Sequence, residues 1–245
     1  AGKNVGVWAF GNEFVSEACC AANGLTSDLD ATVSNPDVNT TVYAFDPALV
    51  FPDSVDVASA MIYNELDQIT GLGFPLNQLS VISAAASGCG LLEDFIFTTR
   101  ELLESDDYKG TGLSGLEIAS RFVRASLRGW EYAANNQTQA VEVVLDFCGD
   151  TCNGSGETES PLIHQTWQMA RIAEMVQPAL MTDPAILALY GFGETPAETT
   201  YGCLSAADYA NTVDLLEQIG LISAGVGDPA NVTSSAVLDN IGVSC

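Results

Sequence analysis

Two short stretches carry the residue types that recognise a flat, polar molecule. Trp8, Phe10, Gly11, Asn12 and Glu13 fall within "GVWAFGNEF", and Tyr63-Asn64-Glu65 repeats the order of aromatic, amide and carboxylate. Aromatic faces stack on rings, and glycine lets the backbone approach closely. The amide and the carboxylate present hydrogen-bonding groups where a helix begins. The competing reading is ordinary: Trp8 and Phe10 as core, Asn12 as a plain helix cap. Glu93 and Asp94 follow the Gly88-Cys89-Gly90 turn. A carboxylate there accepts hydrogen bonds from a ring amine, or stands as a solvated hinge charge. Tyr190, in "LYGFGET", is a weaker candidate contact.

Catalytic chemistry has less support. The chain contains no GxSxG, HExxH or P-loop pattern. His164 is the only histidine, and it is expected on a helix face, too far along the chain to meet the two turns. Asp106-Asp107 and Glu157 with Glu159 lie in polar loops, where solvation explains them. No catalytic residue, metal ligand or cofactor is assigned, and the chain reads as a binding protein rather than an enzyme.

Composition narrows the partners. Asp and Glu number 32 against 7 Lys and Arg, for a formal charge of −25. Such a surface repels nucleic-acid phosphates and anionic lipid. Scarce lysine with abundant carboxylates suits a salty or extracellular setting, where ions screen the self-repulsion. A general acidic bias of the lineage is the alternative. Hydrophobic residues make up 47% of the 245 positions, enough for one large domain or two small lobes. The start, Ala1-Gly2-Lys3-Asn4, precedes no signal-peptide core, as expected of a mature protein whose leader was removed or of a fragment.

The seven cysteines are an odd number, so at least one is free or pairs outside the chain. No CxxC and no zinc spacing occur. The expected disulfides are Cys148 with Cys152, Cys203 with Cys245, and Cys89 with either Cys19 or Cys20; buried free thiols are the alternative. Sequons stand at Asn39, Asn136, Asn153 and Asn231, each expected in a loop or at a helix end, where a sugar can project. Four sequons together with disulfides favour an exported, extracellular or periplasmic protein.

These residues need elements to position them. Residues 4–10, 41–45, 57–61 and 79–84 read as strands. Helices at 13–23 (ended by Gly24), after Asp46-Pro47, and at 64–70 alternate with them. The rhythm predicts a parallel sheet with helices on its faces. Residues 98–245 read almost entirely as helix: 98–104, 114–135, 138–147, 160–175 and 205–219. Ile118, Phe122, Leu127 and Trp130 are spaced for one apolar face, and Val141, Val144 and Leu145 are expected inward. Ser205-Ala-Ala-Asp208 is a capping pattern. These helices have no sheet of their own to cover.

Several stretches now become informative together. "GKNVGVWAFGNEF", "VDVASAMIYNELDQI", "GLLEDFIFTTRELL", "ASRFVRASLRGWEYAANNQTQAVEVVL" and "GCLSAADYANTVDLLEQIGLIS" resemble, in order, segments of a family of ABC-importer substrate-binding proteins. Its members take thiamine-pyrimidine precursors, riboflavin and related molecules, and the fungal thiamine-pyrimidine synthase is a distant relative. The resemblance implies an α/β, periplasmic-binding-protein-like fold of type II. Residues 3–97 would be one complete parallel-sheet lobe, and 98–245 a mostly helical portion of the other. It implies a small heteroaromatic ligand between the lobes and an ABC permease as partner. The synthase's histidine would fall outside this chain, and Cys19-Cys20 with Gly88-Cys89-Gly90 do not reproduce its cysteine cluster. The family carries a further N-terminal segment that builds the rest of the first lobe. The expectation is that another polypeptide, a cleaved piece or a second copy completes that lobe. The alternative is a structural, accessory or filament-type subunit, surface- or membrane-associated, that reuses the fold.

Overall fold

The first apolar run, Lys3–Trp8, forms strand β1, and the β-rich run Val38–Tyr43 forms β2 beside it. The two are parallel and paired along their length, from Lys3 opposite Val38 to Trp8 opposite Tyr43. The computed structural model describes residues 2–44, 46–149, 160–196 and 201–245. A short strand β3, Val57–Ala58, pairs parallel with Val5 and Gly6 on the other side, giving the order β2-β1-β3. Gly6 must lack a side chain, because a Cβ there would stand 2.8 Å from the Tyr43 ring.

Helix α1, Glu13–Ala22, follows β1 and stops before Gly24, whose φ of 68° suits glycine. Helix α2, Glu65–Gly71, follows β3. The strand expected at 57–61 is only two residues long, and the one expected at 79–84 does not form. At that edge β3 offers little backbone to pair with. The segment instead folds into turns, with Ser87 N–H donating to the Ser83 carbonyl and Cys89 N–H to that of Ala84.

The second half is helical as expected: α3 (Arg100–Glu104), α4 (Gly115–Asn135), α5 (Gln137–Cys148), α6 (Pro161–Val176), α7 (Pro184–Tyr190), α8 (Ala206–Gln218), α9 (Pro229–Val232) and α10 (Ala236–Asn240). Thr99, Ser114, Ser160 and Ser205 cap α3, α4, α6 and α8 by accepting from backbone N–H groups three residues on. Val141 is buried as expected. Phe122, Trp130 and Val144 are exposed, contrary to the periodicity. The covered strip of α4 runs instead through Ser120 and Ala134; α10 docks at Ser120, where Asn240 Nδ2 donates to Ser120 Oγ at 2.9 Å.

Among the described residues a core cluster joins α2 to α6 and α7. Leu66 of α2 packs with Met181, Ile186, Leu187 and Leu189, and Ile62, Leu79, Trp167 and Tyr190 close around them.

Candidate functional site

Because β1, β2 and β3 are parallel, their carboxyl ends share one edge of the sheet. Trp8 and Tyr43 end their strands side by side, ring centroids 5.4 Å apart in an edge-to-face contact. The Tyr43 hydroxyl donates to the Ser59 carbonyl just past β3. Ser16 of α1 and Ser59 share a hydroxyl hydrogen bond of 3.3 Å. The first turn is thus pinned from three directions. Beyond Trp8 the chain is strained: Phe10 sits at φ 66°, a left-handed conformation costly for a bulky residue, with its side chain fully exposed. Gly11 follows at φ 111°, with only the Phe14 ring near its vacant Cβ position. Its N–H donates to Glu13 Oε2 at 2.8 Å. Asn12 does not cap α1 through its side chain, which donates to the Ala9 carbonyl at 3.3 Å.

The second turn is held more tightly. Glu65, nearly buried, accepts from Met61 N–H at 2.9 Å and from Asn64 Nδ2 at 2.5 Å. That carboxylate orients the Asn64 amide. Asn64 Oδ1 accepts from Gln168 Nε2 at 2.5 Å and faces His164 Nε2 at 2.9 Å. His164 Nδ1 lies 2.8 Å from Asp67 Oδ2. Both ring nitrogens face oxygen atoms, so the imidazole bridges Asp67 and Asn64. Trp167 Nε1–H donates to the Ile62 carbonyl at 3.0 Å.

The expectation that His164 lies away from these turns is therefore overturned. Helix α6 docks on α2, and its one-sided triplet His164, Trp167 and Gln168 grips residues 62–67. His164 is 2% exposed with both nitrogens engaged, which makes it a structural tie. His164 and Gln168 are one turn apart on α6, as Asn64 and Asp67 are at α2, so the two pairs face each other once the helices dock.

Tyr63 gathers the acidic residues. Burial raises its phenol, and Asp94, Glu65 and Glu93 raise it further. Glu93 is itself raised, first by desolvation and then by Asp94. Burial and the Glu65 and Asp46 charges raise Tyr43. Glu93 and Asp94 are positioned from two sides. The Cys19–Cys89 disulfide ties their segment to α1, with Cα atoms 4.9 Å apart. From α8, Asn211 Nδ2 donates to the Gly90 carbonyl at 3.3 Å and Thr212 Oγ1 accepts from Leu92 N–H at 3.0 Å. Tyr43 was not singled out by its sequence context; only the register beside Trp8 reveals it. Tyr190 stands apart in the core, its hydroxyl on the Arg171 carbonyl and its phenol pushed up to about 12, mainly by burial.

Cys203 and Cys245 are bonded as expected, and Cys19 rather than Cys20 takes Cys89. Cys148 is disulfide-bonded; Cys152, its expected partner, lies outside the described residues, as does Asn153. Cys20 is free, its thiol pushed up by burial and then by Glu17 and Asp37. Asn136 stands exposed at the junction of α4 and α5. Asn39 lies within β2 and not in a loop, although exposed. Asn231 falls within α9. Among the described residues no helix is long and apolar enough to cross a membrane.

Comparison with known proteins agrees with this architecture. The NMT1/THI5-like family model matches residues 1–140. The riboflavin-binding protein RibY of Chloroflexus aurantiacus is 25% identical over 232 residues, covering 92% of this chain and 53% of RibY. The chain thus spans about half the length of this curated relative. No solved structure matches. With more than half of its residues under one family model, a parallel α/β sheet and both aromatic turns at the strand ends, this chain belongs to the NMT1/THI5-like family.

Proposed function

We propose that this protein is a solute-binding protein for a small heteroaromatic compound, a thiamine-pyrimidine precursor or a flavin-like ring. One observation carries the reading. Trp8 and Tyr43 end parallel strands side by side, Glu65 acts on both Tyr43 and Tyr63, and Glu93 and Asp94 act on Tyr63; this reading puts the ligand at that carboxyl edge, where ligands of open α/β sheets bind. The family match and the riboflavin-binding relative support it. In this reading the fold is of the type II periplasmic-binding kind, with residues 3–97 as an α/β lobe and 98–245 as the helical part of the other. The lobes close over ligand because it binds the closed form better. The protein works outside the cytoplasm and delivers its ligand to an ABC permease. A structural or filament-subunit role draws no support from the family model or from RibY.

Titration of the native protein with riboflavin and with 4-amino-2-methylpyrimidine, followed by tryptophan fluorescence and calorimetry, tests the reading. The expected result is saturable binding with Kd of about 1 μM or tighter, on the order of −8 kcal/mol. That binding weakens at least about tenfold in Trp8→Ala and Tyr63→Ala, as expected when a stacking face is lost. Absence of binding up to about 1 mM, the scale of −4 kcal/mol, refutes it.

A further inference from the structure

An extended segment leads from the Gly88-Cys89-Gly90 turn into α3. Residues 91–99 run without turn, bend or helix, and residues 92–99 are exposed throughout. The ends are fixed: Leu92 N–H donates to Thr212 Oγ1 at 3.0 Å, and Thr99 caps α3. Between them, no backbone N–H or carbonyl of residues 93–98 has a hydrogen-bond partner among the described residues. The side chains in the middle are apolar, with Phe95 72%, Ile96 57% and Phe97 84% exposed. Phe95 and Phe97 stand on one side, ring centroids 6.1 Å apart, as alternation in an extended chain dictates. An unpaired strand with that much apolar surface is a template for another strand.

The segment is complementary to itself. In an antiparallel ladder with its twofold axis at Ile96, Ile96 faces Ile96 of a second copy. Phe95 then faces the second copy's Phe97, and Asp94 and Glu93 face its Thr98 and Thr99. Both aromatic pairs fall on one face, where cross-strand aromatic contacts stabilise a sheet, and no like charges stand opposite. The acidic end meets the end carrying Arg100, whose own pair with Glu104 is long, at 3.9 Å, and exposed. A slip of one residue would set Phe95 against Thr98 and lose the aromatic pairing.

We propose that residues 93–99 are a self-association strand, through which two copies of this chain join in a twofold antiparallel ladder centred on Ile96. This goes beyond ligand binding and does not depend on it. The contact is weak, because a two-stranded ladder this short is marginal alone. The copies, each with a formal charge of −25, also repel at long range. Association therefore tightens as salt screens that repulsion.

Sedimentation equilibrium of the native chain at low and high salt tests this. The expected result is a monomer–dimer equilibrium with Kd on the order of 100 μM at high salt, as for a small interface, and weaker association at low salt. Because the central residue faces its own copy, Ile96→Lys and Ile96→Glu should each weaken the dimer at least about tenfold by setting like charges opposite. An equimolar mixture of the two variants should dimerise again, since lysine then meets glutamate; circular dichroism checks that each folds. Hydrogen exchange should show alternate amides of residues 93–99 slowed only at concentrations where the dimer forms. A chain that stays monomeric up to about 1 mM at high salt overturns the inference. So does a dimer indifferent to both variants, or a mixture that fails to dimerise. Protection of these amides in the monomer, or in a complex with a different polypeptide, overturns it as well, because another strand then holds the segment.

Discussion

Replacing His164 gives the sharpest test of how the second turn is held. His164→Ala removes a contact of 2.8 Å to Asp67 and one of 2.9 Å to Asn64. It leaves the Asp67 carboxylate, 4% exposed, without its imidazole. Deleting one partner of a buried pair costs about 3–5 kcal/mol, mostly for the polar group left buried without its partner. That is a large share of the roughly 5–15 kcal/mol by which domains are stable. The double variant His164→Leu/Asp67→Leu removes the charge together with its partner. It should cost less than the single change, about 1–2 kcal/mol, because apolar replacement of a buried pair is often near neutral. Urea unfolding followed by far-ultraviolet circular dichroism measures both, with the slope m unchanged if only the native state is affected. The reasoning fails if His164→Ala costs less than about 1 kcal/mol, the worth of one ordinary hydrogen bond. It fails equally if the apolar double variant costs as much as the sum of the singles, because packing shape would then be the controlling factor.

Other perturbations have equally direct outcomes. Phe10→Gly should stabilise the protein by about 1 kcal/mol, since glycine adopts the φ of 66° without strain, while weakening ring binding; a loss of stability would mean that the exposed ring packs in solution. Removing the Cys19–Cys89 disulfide, which closes a separation of 70 residues, should cost about 4 kcal/mol. Removing Cys203–Cys245, which closes 42, should cost nearly as much on the same loop-entropy relation. Denaturation of the paired Cys→Ala variants measures both, and a loss under about 1 kcal/mol excludes an effective cross-link. Tyr43, Tyr63, Tyr190 and Tyr201 are all raised above 10. The native state therefore holds more protons than the unfolded chain above that pH, and stability falls as pH rises through the alkaline range. Phenolate absorbance should show late ionisation, with Tyr190 near 12; a single midpoint near 10 for all seven tyrosines would contradict this.

Local signals were legible where local physics decides. Short apolar runs marked β1 and, three residues late, the start of β2; Gly24 marked the end of α1, and Ser114, Ser160 and Ser205 marked helix starts, where each accepts from a backbone N–H. The turn at Trp8 was readable because glycine and an acidic helix start leave few alternatives. What failed depends on partners distant in sequence. Residues 79–84 have strand-like composition but meet only a two-residue neighbour. Phe122 and Trp130 are correctly spaced for a face, yet spacing does not say which face is covered. The choice between Cys19 and Cys20 turned on helix phase, about 100° per residue. His164 was misread because ninety-seven residues of separation from Asp67 say nothing about a docked helix.

The grip of α6 on α2 has a consequence for how this chain can be divided. The family match ends at residue 140, within α5 and before His164, Trp167 and Gln168. A gene rearrangement that parted the chain there would bare Leu66 and strand the Asp67 carboxylate against water-excluding neighbours. Neither piece could then be traded as an independent cassette. Insertions would be tolerated at loops such as the helix junction near Asn136, while recombination that separates residues 62–67 from 164–168 would be selected against through folding, before any ligand is involved.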